Sequence, residues 1–343
     1  MTIKYKNVYI NETATVVGPT EKEGPLNNYF DKSYNELYFG KNTFEQAETK
    51  LIEDSLDILF SKLHKTKYDI DLFISGCLQN QIAASNFAAS DASIPYLGIY
   101  SACASSVEGL IIGANMVDKA QITNCICNVS SHNSVAEKQF RFPVEYGGPK
   151  PKTTTFTVTG AASAYLSREA SNIKVESATI GKVVDLNVTD VYNMGAVMAP
   201  ACADTIMTHL SETRRSADYY DYILSGDLGR YGKGILLDYL KTEYNIKLKN
   251  YDDTACMIYD LDHQPVYAGG SGPACAPLVT YGYIFSKMRT KEIKRVLLVA
   301  TGALHSPTTV NQKLSIPGIA HAISLEVAEW IILMHLYLQE QYA

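Results

Sequence analysis

The sequence predicts an α/β fold with a large sheet and two related halves. Short apolar runs alternate with longer stretches of helical periodicity, the pattern of strands and covering helices. An eight-residue segment occurs twice, as Asp71-Leu-Phe-Ile-Ser-Gly-Cys-Leu78 and Asp221-Tyr-Ile-Leu-Ser-Gly-Asp-Leu228. Further landmarks then recur in the same order, which argues for an internal duplication.

The elements follow in chain order. Ala47, Leu51, Ser55, Ile58 and Leu59 share one helical face, so Phe44 to Leu63 is expected to be a helix. Asp71–Ser75 reads as a buried strand, because it is a continuous apolar run that ends in small or polar residues. Val107, Leu110, Ile111, Ala114 and Val117 form a second helical stripe. Cys125–Val129, Tyr222–Ser225 and Val296–Ala300 read as further buried strands. Ala102-Cys-Ala104 and Ala274-Cys-Ala276 each precede a helix, and Gly160–Ala164 and Gly318–Ala322 hold equivalent late positions. The duplication places its boundary near Glu169 to Val175. The expected organisation is an N-terminal half, 1–170, and a C-terminal half, 171–343, in one pseudo-twofold unit.

Composition narrows the function classes. With 46% hydrophobic and 19% charged residues, the 343-residue chain has ample material for a core, which excludes a disordered or fibrous protein. A net charge of −6 argues against general nucleic-acid binding. Met1–Ile10 has no apolar run after its lysines, so no secretory signal is expected. Seven cysteines without paired CxxC spacing suggest free thiols in a reducing compartment. The histidines form no HExxH or HxxxH pair, and neither a metal nor another cofactor is expected. Asp185, Asn187, Thr189 and Asp190 form a polar cluster whose simplest role is loop hydrogen bonding. Near the C-terminus, Trp330–Leu338 is a nine-residue, largely apolar run. A bilayer span needs about 20 residues. This run is expected to cap the fold, dock on a membrane partner or touch the lipid interface.

Cys103 is the candidate reactive residue. It lies in Tyr100-Ser-Ala-Cys-Ala-Ser-Ser106, at the entry to the Val107–Val117 helix. Unpaired backbone N–H groups at a helix start favour a thiolate, and small neighbours let a substrate approach. A small buried thiol packing a helix on a sheet is the equal alternative.

This motif, with the duplication, resembles the thiolase fold of thiolases and ketoacyl-ACP synthases. The resemblance implies duplicated βαβαβαββ halves in a five-layer αβαβα arrangement. It also implies that Cys103 occupies the acyl-accepting nucleophile position. The catalytic partners do not match. The turn that would carry the histidine reads Ser225-Gly-Asp-Leu228, which puts Asp227 there, and the asparagine slot, Ala268–Gly272, holds glycine at Gly270. His305 follows a second-half strand and would point into the cleft.

Longer blocks resemble one family, stage V sporulation protein AD. They include Gly18–Leu26, Ser130–Asn133, Glu137–Gly148, Met198–Ala201, Ala268–Gly272, Ala300–Leu304 and Ser315–Pro317. The resemblance runs from about Val8 to Glu326; the C-terminal run beyond it departs from the family. It implies a sporulation protein that binds dipicolinic acid (pyridine-2,6-dicarboxylate), alone or as its calcium chelate, and supports its uptake into the developing spore. It also implies the stage V sporulation AA–AF membrane proteins as partners, a homodimer, and peripheral association with the forespore or spore inner membrane. A dicarboxylate needs cationic donors and a flat apolar wall. The 132–152 segment carries Lys138, Arg141, Lys150 and Lys152, with Phe140, Phe142 and Tyr146 as wall candidates. For Lys150 and Lys152, beside two prolines, solvated positions are expected. The expected ligand-binding residues are Cys103, His132, Asn133 and Arg141, with Tyr146, Asp227, Gly270 and His305. Two other functions fit the same residues. One is an active condensing enzyme using Cys103, with His305 or His132 as base. The other is a purely structural subunit of the spore membrane complex.

Overall fold

A computed structural model describes residues 1–140 and 150–328. Its first half runs β1 (Tyr9–Val17), α1 (Phe44–Leu63), β2 (Phe73–Gly76), α2 (Ala83–Ala92), β3 (Tyr96–Gly98), α3 (Ser105–Asp118), β4 (Asn124–Ser131), α4 (Asn133–Phe140) and β5 (Gly160–Ser167). The second runs β6 (Ile173–Ile180), α5 (Met194–Thr213), β7 (Tyr222–Ser225), α6 (Gly229–Tyr244) and β8 (Tyr251–Asp253). It continues with a central helix α7, built from Cys275–Leu278, a π turn Val279–Ile284 and Phe285–Arg289. It closes with β9 (Arg295–Ala303) and β10 (Gly318–Val327).

The strand path is β8-β7-β9-β10-β6-β1-β5-β4-β2-β3. Read outward from the middle, both halves give the same order: first strand, last, fourth, second, third. Their senses also agree. β2 is parallel to β3 and β4, as β7 is to β8 and β9, and the last strand is antiparallel to both its neighbours in each half. The halves join where β1 meets β6 antiparallel, at Tyr9↔Lys174 and Ile10↔Ile173.

Three hydrophobic clusters give the layers. Alternate side chains of a strand leave on opposite faces. Phe73, Ile126 and Tyr165 pack under α1 and α2. Ile74, Cys127, Leu298 and Ile323 pack on the central α3 and α7. Ile223, Leu297 and Val299 pack under α5 and α6. Helices thus cover both outer faces and fill the middle, the expected five layers. In α3, Gly113 sits directly against the Cys125 and Cys127 thiols, so the expected alternation of that Cys-x-Cys pair serves helix–sheet packing.

The repeated octapeptide plays the same part in both halves. Asp71 Oδ2 accepts the Thr123 and Asn124 N–H groups at 2.6 and 3.3 Å, tying the start of β4. Asp221 Oδ2 accepts the Lys294 and Arg295 N–H groups at 2.7 and 2.9 Å, tying the start of β9. The Gly18–Leu26 block clasps the two halves together. Its buried Glu21 accepts from the Tyr259 hydroxyl and from Thr159 N–H at 3.0 Å, and Gln264 Nε2 donates to Thr20 O at 2.8 Å. The expected helix is present at Phe44–Leu63, capped by Thr43, whose side chain accepts Gln46 N–H at 3.2 Å. It buries a wider face than the apolar stripe predicts, because Glu48 and Asp54 are buried too while Ile58 is only partly so. The 185–190 cluster bonds within its loop, Asp185 accepting Asn187 N–H at 2.8 Å and Asp190 accepting Tyr192 N–H at 2.9 Å, and also across to Ser315, whose Oγ donates to Asp185 at 2.6 Å. Among the described residues no helix is long and apolar enough to cross a membrane. Trp330–Leu338 lies outside the described residues.

Candidate functional site

The loop Ser101–Ala104 enters α3 under strain, with Ala102 in the left-handed region at φ 50°. Ser105 fixes it: its Oγ accepts Ser101 N–H and donates to Ala102 O, both at 2.8 Å. Gly302 of β9 lets the second half close on this loop, since a Cβ there would stand 2.4 Å from Ser101 O. From behind, His321 Nδ1 accepts Gly181 N–H at 3.2 Å and Nε2 faces Ser101 Oγ at 3.5 Å. Burial drives the His321 pKa down to about 4, so the ring is neutral.

Cys103 opens into a cleft between the halves that encloses about 650 Å³ with its mouth. Tyr100, Phe140, Met194 and Met198 supply apolar walls, and Thr155, Thr157 and Ser271 supply hydroxyls. The hydroxyls share a cause. Phe156–Thr157 pairs parallel with Gly270–Ser271, and strand alternation turns Thr155 and Thr157 to the cleft while Phe156 packs edge-on against Tyr259 at 5.8 Å. His305 and Glu137 complete the ionisable lining. His305 lies 5.2 Å from the Phe140 ring, centroid to centroid. Glu137 pairs with Lys150 at 2.6 Å.

Asp227 is buried beside Cys103, on the turn after β7. It adopts a left-handed φ of 65°, its Oδ2 accepts Gly272 N–H at 2.7 Å, and its Oδ1 has no hydrogen-bond partner. The thiols of Cys103 and Cys275, which open the two equivalent central helices, both stand against this carboxyl. The expectation of a thiolate at Cys103 is therefore corrected. Burial first, and the neighbouring carboxyl second, push its pKa well above the ordinary thiol value. Burial likewise raises Asp227, which the adjacent thiols and the Gly272 N–H partly offset. A carboxyl thus stands beside Cys103 where an acyl-transfer site would place an imidazole.

Of the expected ligand residues, Cys103 and His305 line the cleft. Asp227 lies behind Cys103 rather than in the lining, so it cannot face a ligand-borne calcium as its sequence position suggested. Gly270 is buried, and a Cβ there would meet Ile258 at 2.8 Å and the Cys275 sulfur at 3.0 Å, so its neighbour Ser271 reaches the cleft instead. His132 is structural. Its Nε2 donates to Leu37 O at 2.9 Å, its Nδ1 accepts Ser134 N–H at 3.2 Å, and it packs between Phe39 and Phe44. Asn133 starts α4 with its N–H on Thr159 Oγ1 at 3.0 Å, outside the lining. Arg141 and Tyr146 lie outside the described residues. Lys150, read from sequence as solvated, is 31% exposed and pairs with Glu137 at 2.6 Å. The Thr-x-Thr alternation and the two methionines were the legible signals that sequence reasoning passed over. Among the described residues no cluster of His, Cys, Asp and Glu is placed to hold a metal.

The fold is the thiolase-like one, and solved structures agree. The 3-oxoacyl-[acyl-carrier-protein] synthase III of Aquifex aeolicus VF5 matches with a TM-score of 0.56 at 12% identity, over 93% of this chain and 100% of that one. Cerulenin-bound OleA of Xanthomonas campestris matches with a TM-score of 0.61 at 11% identity, over 95% and 98%. At these identities the likeness is one of fold. Sequence places the chain more narrowly. The family model for Stage V sporulation protein AD (SpoVAD) matches residues 1–326. The Stage V sporulation protein AD of Bacillus subtilis (strain 168) is 45% identical over 322 residues, 94% of this chain and 95% of the relative. The chain belongs to the stage V sporulation protein AD family.

Proposed function

We propose that this sporulation-family protein binds dipicolinic acid in the Cys103 cleft and supports its uptake into the developing spore, together with the stage V AA–AF membrane proteins. The carrying observation is a cleft kept open at Cys103 while burial first, and Asp227 second, hold that nucleophile protonated. Such a cleft binds without acylating, so the protein is a thiolase-fold pseudoenzyme. The ligand ring would lie between the Tyr100 and Phe140 faces and the methionines, with its carboxylates on the hydroxyls of Thr155, Thr157 and Ser271 and on His305. Titration calorimetry of the full chain tests this. One dipicolinate per chain is expected, with Phe140→Ala weakening binding and Cys103→Trp, which fills the cleft, abolishing it. No heat from the folded wild type overturns the reading.

One observation favours acyl transfer instead: His305 lines the same cleft as Cys103. Intact mass after incubation with acyl-CoA decides between the two. An adduct lost in Cys103→Ala would establish the enzyme, and an unmodified chain is expected.

The proposal includes a homodimer built across β3. This edge strand exposes Leu97 at 42%, and α2 exposes Phe87 at 70%. The equivalent edge, β8, carries Asp252 paired to Lys233 at 2.5 Å. Charge guards one edge against pairing and leaves the other open. Leu97→Lys is expected to halve the sedimenting mass, and an unchanged mass would move the interface elsewhere.

A further inference from the structure

We infer that Asp253 is a positioning residue that holds the turn after β7 in the conformation setting Asp227 against Cys103, a device built into the second half alone. This rests on the reading that Asp227 restrains the nucleophile.

The residues of the Ser225–Gly229 turn do not favour its shape by themselves. Asp227 and Gly229 both lie in the left-handed region, at φ 65° and 66°. That region is costly for a residue with a Cβ and persists only where its surroundings enforce it. Asp227 does not enforce it within the turn, because its Oδ2 reaches away to Gly272 N–H at 2.7 Å. Asp253 does. It ends β8 in register with Ser225 and is fully buried. Its Oδ2 accepts Ser225 Oγ at 2.5 Å and Leu228 N–H at 3.2 Å, one on each side of Asp227. Its Oδ1 accepts Gly229 N–H at 2.9 Å and Ala255 N–H at 3.2 Å. One carboxylate thus clamps the turn on both flanks of Asp227.

The first half shows the same segment without the clamp. Cys77 stands where Asp227 does, and Ser75 where Ser225 does. The residue in register with Ser75 is Gly98, where a Cβ would lie 2.4 Å from Ile82, so no acid can take that place. Ser75 Oγ turns instead to Ser85 Oγ and Asn128 Oδ1, each at 3.0 Å, and Cys77 keeps a negative φ. The left-handed turn appears where the neighbouring strand supplies a carboxylate.

Asp253 also caps α6, which Gly229 opens, but capping alone would leave Cys103 untouched. Its charge and its grip act on Cys103 with opposite sign. Burial raises the Asp253 pKa to about 6, so it is ionised at pH 8. Burial raises the Asp227 pKa most, and the charge of Asp253 raises it further. Losing the charge alone would let Asp227 ionise more readily and slow Cys103. Losing the grip frees Asp227 to leave the thiol and speeds Cys103.

The test is iodoacetamide labelling with peptide mapping, from pH 7 to 9.5, on the full-length chain. The variants are Asp253→Asn, Ser225→Ala, Asp227→Asn, and each of the first two combined with Asp227→Asn. Asp253→Asn is expected to label Cys103 about fivefold faster at pH 8 and to move its profile to lower pH. Ser225→Ala keeps the charge and is expected to act in the same direction by about twofold. Each combined variant should match Asp227→Asn alone, since both changes act through one carboxyl. Cys125, buried in the first half, should keep its wild-type rate. The inference is overturned by a slower or unchanged Cys103 in Asp253→Asn, by a combined variant faster than Asp227→Asn, or by Cys125 speeding up in step. If Asp253→Asn does not fold, Ser225→Ala is read by the same criteria. If Asp227→Asn itself labels at the wild-type rate, the restraint reading fails and takes the inference with it. If Asp227→Asn speeds labelling and the clamp variants do not, the inference fails alone.

Discussion

Asparagine at position 227 will speed alkylation of Cys103 at pH 8 by about tenfold or more, since each unit of thiol pKa is a factor of ten in thiolate. Burial raises the Cys103 pKa most, and the neighbouring Asp227 carboxyl raises it further by its charge. An asparagine removes the charge, and its Nδ2 donates to a thiolate. It also keeps what holds the turn together: its Oδ1 accepts Gly272 N–H, and asparagine tolerates the left-handed φ of 65°. Burial remains, so the thiol will stay less reactive than an exposed one. Iodoacetamide labelling followed by peptide mapping reads Cys103 separately from the other six cysteines. Equal rates in wild type and variant would show that Asp227 does not restrain the nucleophile. The pseudoenzyme reading would then lose its chemical basis.

The second large effect is on stability. Glu48 of α1 is fully buried, accepting Gln79 Nε2 and Ser130 Oγ, each at 2.9 Å. Burial raises its pKa from 4.5 to about 7, only partly offset by these donors. The folded chain therefore holds this proton more tightly than the unfolded chain does. The resulting stability is fully present below the unfolded pKa near 4.5 and is lost as pH rises through about 7. Glu48→Gln keeps an acceptor for Gln79 and a partner for Ser130 but has no proton to lose. It should match wild type at pH 4.5 and exceed it at pH 8 by about 3 kcal/mol in urea unfolding. Parallel pH profiles for the two proteins would show that Glu48 does not titrate between those values.

Much of the fold was legible because burial leaves periodic marks. The 44–63 helix, the strand at Tyr222–Ser225 and the octapeptide repeat all show as patterns in contiguous residues: apolar spacing, or the same aspartate-led segment used twice to tie a neighbouring strand. Glu48 was not legible, since a carboxylate on an apolar face is recognisable only once Gln79 and Ser130, from other elements, are seen to meet it. His132 misled for the same reason. A histidine after a strand suggests a ligand site, but the packing of Phe39 and Phe44 and the carbonyl of Leu37 turn it into a strut. Lys150 misled in the other direction, because its carboxylate partner sits thirteen positions earlier, on α4.

By itself the sequence determined the duplicated α/β architecture, the family and the position of Cys103, all of which are written in short-range pattern and in blocks of contiguous residues. Only the tertiary structure decided the state of that cysteine. Its protonation depends on burial and on Asp227, 124 positions away and brought beside it by the folding of one half against the other.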